Sequence, residues 1–270
     1  MWPDIRAEIG VQARRGANWL LVAVAVALTL GFAYIVPYTG YRGASGSPAP
    51  SLTPLLTGGF AGSTIGGMPA FIGALALIHG VLVAGSDYAW STWKTILVQQ
   101  PSRVRVYLAK VAAAVLGCLV LVAVLFAVSA AASLAITVAE DAPVVWPAAS
   151  ELARCFAAGW LITSMWALLG VLLAIALRSV ALPVGIGLVW MLAVQNLISG
   201  LAAPLLGWVD ALQVWLPGGA AGSLVASLGA RDDTPGVAEL AGPTQVTLTL
   251  TAYLLVFAVA AGVLLRRRDI

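Results

Sequence analysis

One imidazole, His79, and two thiols, Cys118 and Cys155, are all that a chain of 270 residues offers of these groups. A zinc site needs three or four Cys, His or carboxylate ligands at close spacing, and no such cluster is present, so metal catalysis is not expected. The thiols fall at different depths of two apolar stretches, too far apart for the roughly 4.4–6.8 Å Cα spacing of a disulfide. Both read as small packing residues. An ionisable residue inside an apolar stretch is a functional candidate by default. His79, however, has no Asp or Glu in any apolar stretch to work with, which favours a packing role. An intramembrane serine protease would need a Gly-x-Ser-Gly tetrad facing a histidine within the membrane, and no apolar stretch carries one. A phosphate-cradling loop needs G-x-x-x-x-G-K-[ST]. Gly85 precedes Lys94 and Thr95, but Trp93 stands where the second glycine belongs, so this chain has no nucleotide site of its own.

The elements that must position these residues are set by hydropathy. Mean hydropathy is +0.99, with 61% hydrophobic and 9% charged residues, far from the roughly 25% charged profile of a soluble domain. About 20 apolar residues in helix cross a hydrocarbon core of about 30 Å. Windows 18–36, 68–85, 111–138, 155–177, 181–206 and 246–265 meet that requirement without Asp, Glu, Lys or Arg. The expected fold class is therefore an all-α integral membrane protein of six transmembrane helices. Of the 14 Lys and Arg, only Arg42, Arg154 and Arg231 fall on one alternate set of loops. The rest fall on the other set, which places both termini in the cytosol. Window 18–36 follows a polar segment and lacks a small-x-small cleavage site, so it reads as a retained first span. The net charge of +3 follows from this topology, and nucleic-acid binding is not expected.

Residues 1–17 form an expected amphipathic interfacial helix: Trp2, Ile5, Ile9 and Ala13 recur at steps of three or four, and Asp4, Arg6, Glu8, Gln12, Arg14 and Arg15 fill the other faces. Its polar face is available in this reading to a cytosolic partner. Residues 37–67, rich in Gly, Pro and Ser, are expected to be a flexible outer loop without regular structure in its first half, while from Leu55 onward the glycines mix with apolar residues and Gly62 with Gly66 gives a small-xxx-small step that could let helices approach closely. Segment 207–245 holds two apolar runs, 208–216 and 220–228, separated by Pro217, Gly218 and Gly219. They are too short to cross, which predicts a re-entrant outer segment before the last span. Trp208, Trp215, Trp146 and Tyr38 would form an aromatic belt at the outer boundary. Segment 86–110 is the most polar loop on the cytosolic side. It reads as an interfacial helix carrying Trp90, Trp93, Ile96 and Leu97, a break at Pro101, and a second helix capped by Ser102.

The segment 86–110 resembles the first cytosolic loop of permease subunits of type-2 ABC exporters. Asp87 stands near the family's acidic position, Trp93, Lys94, Thr95, Ile96 and Leu97 form an interfacial core, and Pro101, Ser102, Arg103 and Lys110 supply the turn and the start of the next span. The terminus Leu265, Arg266, Arg267, Arg268, Asp269 and Ile270 is similar to the Arg-rich end common in that family. Where members often carry Glu and then a Glu-Gly-Thr-like run, this chain has Asp87, Tyr88, Ala89 and Trp90.

The resemblance implies a transporter subunit of the plasma membrane, paired with itself or with a second permease. It would be docked on a separate ATP-binding cassette subunit that holds ATP and Mg. Coupling would run through Asp87, Trp90, Trp93, Lys94, Ile96, Leu97, Pro101, Ser102, Arg103 and Arg105, with Trp2, Ile5, Glu8 and Ile9 as the interfacial helix. No span holds a carboxylate to bind a driving proton or sodium ion, so uphill transport would need such a partner. The apolar lining suits efflux of amphipathic cargo such as a drug, antibiotic, peptide or lipid. Gln195 and Asn196, at mid-depth of the fifth window, are the best candidates for a polar contact with it, or else for a bond between helices. The alternative function is a non-transporting scaffold or sensor that recruits a cytosolic protein through the same loop.

Overall fold

Helix satisfies every backbone N–H and C=O within one segment, which lipid demands. The computed structural model describes residues 2–43, 51–89, 102–198, 208 and 212–267, and these residues are helical, with no strand among them. In chain order the main helices are α1 (Trp2–Arg14), α2 (Gly16–Gly43), α3 (Phe60–Gly66), α4 (Met68–Tyr88), α5 (Arg103–Ala139), α6 (Ala149–Leu177), α7 (Ala181–Leu197), α8 (Pro217–Ala226) and α9 (Pro243–Arg267). Five of them, α2, α4, α5, α6 and α9, are long and apolar enough to cross a membrane. This gives the chain the character of a multi-pass membrane protein.

The centre of the bundle is the pair α4 and α6, flanked by α5 and α9. Without a hydrophobic drive between helices in lipid, close backbone approach at small residues supplies the packing. A Cβ on Gly80 would lie 1.8 Å from the Ala167 carbonyl oxygen, and one on Gly170 would lie 2.2 Å from that of Leu77. Trp166, fully buried, fills the layer beside them. Helix α7 runs antiparallel to α4. Its start lies near Gly85, Gly187 meets Leu77, Met191 meets Gly73, and Gln195 lines a small cavity with Pro69 and Ala70.

The two ends of the bundle differ. One holds both termini: Tyr107 donates to the carbonyl of Ala258 near the end of α9, and α1 packs on the start of α5. At the opposite end lies a layer of short segments. Thr57 bridges it, its N–H donating to Thr137 Oγ1 at 3.1 Å and its own Oγ1 accepting from Val145 N at 3.1 Å. Glu140 there accepts from Tyr38 at 2.6 Å and from Arg42 Nε at 3.0 Å, and these two bonds hold its carboxyl below the usual carboxylate range.

This layer corrects one expectation. Residues 51–67 are an ordered cap rather than a flexible loop, since α3 is wholly buried and Gly62 lets it approach the Gly229 carbonyl, where a Cβ would lie only 2.2 Å away. Glycine here serves as contact surface, not as a chain breaker. The expected break between the two apolar runs falls at Leu216, whose backbone is extended, and Pro217, Gly218 and Gly219 open α8, where proline suits a first turn whose N–H would be unsatisfied anyway. Helix α2 also continues to Gly43, beyond the expected end at 36. It loosens into a π-helical stretch at Thr29–Ile35, just where Pro37 removes the donor to residue 33. A second π-helical stretch, Met68–Ile72, opens α4 and contains Pro69.

Candidate functional site

Lys110 is 2% exposed, two turns inside α5. A buried ammonium is tolerated only when it is paired and hydrogen-bonded. Its Nζ meets Glu8 Oε2 of α1 at 3.2 Å, the Asp87 carboxylate of α4, and the Val83 carbonyl at 3.4 Å. The cation therefore joins three helices. Glu8 and Asp87 are themselves largely shielded, so the charges sit where Coulomb attraction is strong and where removing one partner is costly.

Around this triad runs a chain of hydrogen bonds. Gln12 donates to Glu8 Oε1 at 2.8 Å, and Asn18 donates to the Gln12 carbonyl at 2.9 Å and to its Oε1 at 3.0 Å. Asn18 Oδ1 in turn lies 3.3 Å from His79 Nδ1. The imidazole thus has a partner on α2, and its ring packs where Gly117 has no side chain. Arg15 breaks the helix between α1 and α2 and donates to the Leu82 carbonyl at 2.9 Å and to Ser86 Oγ at 2.6 Å. Arg105 meets Asp4 at 2.5 Å. The face Asp4, Glu8, Gln12 and Arg15, at steps of three and four residues, therefore points at the bundle.

That geometry revises the expected role of the first helix. Four of its polar residues, Asp4, Glu8, Gln12 and Arg15, are engaged by the chain's own helices rather than left open to a partner. Trp2, 71% exposed, and Ile9 turn outward with Ala13, while Ile5 is half-buried. The exposed cations on this helix are Arg6 and Arg14.

Of the other expected coupling residues, Ser102 caps α5, its Oγ accepting from Arg105 N at 3.4 Å, and Arg103 is half-buried in the first turn. Trp90, Trp93, Lys94, Ile96, Leu97 and Pro101 lie outside the described residues. Asp87 and Lys110, which flank that stretch in sequence, are brought into direct contact. Gln195 and Asn196 line a cavity of about 160 Å³ with Gln213, Gly218 and Pro69, level with the first turn of α4. Asn196 donates to the Leu192 carbonyl at 2.6 Å.

Gln12, Arg15 and Asn18 were not among the expected site residues. Their signal was available in the sequence as a polar stripe continuing Asp4 and Glu8, but a stripe of that kind reads equally as a solvated face. Both cysteines are free and buried, and no group of three His, Cys, Asp or Glu among the described residues could hold a metal. No protein-family model matches this chain, and no curated protein matches it.

Proposed function

We propose that the chain is the membrane permease subunit of an ATP-driven exporter that moves amphipathic or hydrophobic molecules outward. ATP and Mg are bound by a separate ATP-binding cassette subunit docked on 86–110, and the permease works as a homodimer or beside a second permease. The observation that carries this reading is the buried contact of Lys110 with Glu8 and Asp87. It fastens the two edges of 90–101, the end of α4 and the start of α5, to the N-terminal helix. A push delivered to that segment would move α1, α4 and α5 together rather than bend a slack loop.

Six spans fit this reading. Helix α1 and the end of α9 lie at one end of the bundle, as an even number of crossings would place them, and α7 runs from that end along α4. The buried α8 is about 15 Å long at 1.5 Å per residue, too short to cross, and suits a re-entrant segment. In this arrangement both termini are cytosolic at the plasma membrane, and Trp2, Ile9 and Ala13 rest on its inner surface.

The test is reconstitution in vesicles with and without an ATP-binding cassette partner. Transport of an amphipathic dye should require the partner and ATP, and charge reversal at Lys94 or Arg103 should reduce transport at least tenfold while ATP binding by the partner persists. Transport by the chain alone in energised, ATP-free vesicles would overturn the proposal. So would partner binding with no cargo-stimulated ATP turnover, the behaviour of a scaffold or sensor.

A further inference from the structure

A groove of about 420 Å³ runs between α2 and α4 in the half of the bundle away from the termini. One wall extends from Leu28 to Gly40 of α2, about 18 Å at 1.5 Å per residue, which is close to half of a hydrocarbon core of about 30 Å. Phe32 of α2 and Phe71 of α4 stack across it, ring centroids 5.9 Å apart and planes within 8°. Two of the three π-helical stretches among the described residues, Thr29–Ile35 and Met68–Ile72, contribute to its lining, and the third, Val189–Val194, does not. Such stretches widen a helix and recur at functional sites.

Part of the groove's lining is polar. Arg231, whose side chain is 21% exposed, donates through Nε to Asp233 Oδ1 at 2.9 Å and pairs with the same carboxylate through Nη2. Asp233, at 65% exposure, faces the surroundings. A lone anion arriving at Arg231 would have to displace a carboxylate that is already in place, and a lone cation would meet the guanidinium. A headgroup carrying both signs satisfies both residues, its phosphate on Arg231 and its ammonium on Asp233. We propose that this groove binds one zwitterionic phospholipid of the ethanolamine type, with an acyl chain along Leu28, Phe32 and Phe71 and the headgroup exchanged into the Arg231–Asp233 pair. The primary ammonium matters because it donates hydrogen bonds to a carboxylate, which a quaternary choline cannot do. The site needs only insertion in a bilayer, not transport.

The experiment uses the purified full chain in detergent, equilibrated with an equimolar mixture of phosphatidylethanolamine, phosphatidylglycerol and phosphatidylcholine of identical chains. Retained lipid is counted by native mass spectrometry, with no ATP and no partner, so failure of the exporter reading leaves the result unaffected. Phosphatidylethanolamine should be retained about fivefold over either competitor. Arg231→Gln and Asp233→Asn, both at partly exposed positions where folding is not at stake, should each abolish that preference. Phe32→Ala, at an exposed wall position, should lower retention of all three lipids while leaving the preference in place. Equal retention of the three lipids, preference for phosphatidylglycerol, or a preference untouched by both charge variants would overturn the assignment.

Discussion

Lys110 shows how a single residue can be misjudged by its place in a hydropathy profile. It lies one position before the third apolar window and so reads as a topology-setting cation, yet it is buried between Glu8 and Asp87. The window marks where charge ends, not where the helix begins, and α5 starts seven residues earlier. Burial of a triad is weak evidence for net stability, because desolvation offsets much of the attraction, but breaking it leaves two carboxylates facing each other. Lys110→Met should therefore cost about 2–3 kcal/mol, below the roughly 3–5 kcal/mol of a fully buried pair because Glu8 keeps partial access to solvent. The triple variant Lys110→Met, Glu8→Gln, Asp87→Asn should recover most of the loss. Thermal unfolding in detergent measures both, and a triple variant no better than the single one would mean that the triad is not the origin of the effect.

Among the helices, what the sequence made legible was existence and order. Each of the long apolar windows 18–36, 68–85, 111–138, 155–177 and 246–265 lies within or nearly within one long helix, because crossing lipid leaves few other options for the backbone. What it left obscure was which faces meet. The stripe Asp4, Glu8, Gln12 and Arg15 looks solvated until α4 and α5 are placed beside it, and the step from Gly62 to Gly66 names no partner until Gly229 is placed against Gly62. Register between helices belongs to the tertiary structure, and a glycine gives no sign of whether it is a hinge or a contact. Gly80 and Gly185 make the distinction measurable. A side chain at Gly80 would collide with the Ala167 backbone, whereas nothing lies within 4 Å of a Cβ at Gly185. Gly80→Val should force α4 and α6 apart and abolish recovery of monodisperse protein, since overpacking against backbone cannot be relieved by a rotamer change. Gly185→Val should be recovered at near the unaltered yield, read by size-exclusion chromatography. Equal yields of the two would mean that α4 and α6 are not packed this closely.

At the scale of the whole molecule, the question is whether the chain between α6 and α9 crosses the membrane once. Helix α7 has 17 residues in its described part, about 26 Å at 1.5 Å per residue, slightly less than a full hydrocarbon core. Its neighbours along α4 place its first residues near Gly85, toward the end that holds α1, and Gln195 level with the first turn of α4. If the basic residues set orientation as the positive-inside rule requires, Arg178 is cytosolic and Gly242, just before α9, is external. Single cysteines at these two positions test that directly. The background would carry Cys118→Ala and Cys155→Ala, which removes the two native thiols. A membrane-impermeant maleimide should label Gly242→Cys in intact cells, and Arg178→Cys and Arg6→Cys only after lysis, with Trp146→Cys as the external reference. Protection of Gly242→Cys in intact cells would leave 178–242 on one side, reduce α7 and α8 together to re-entrant elements, and place the C-terminus opposite the N-terminus.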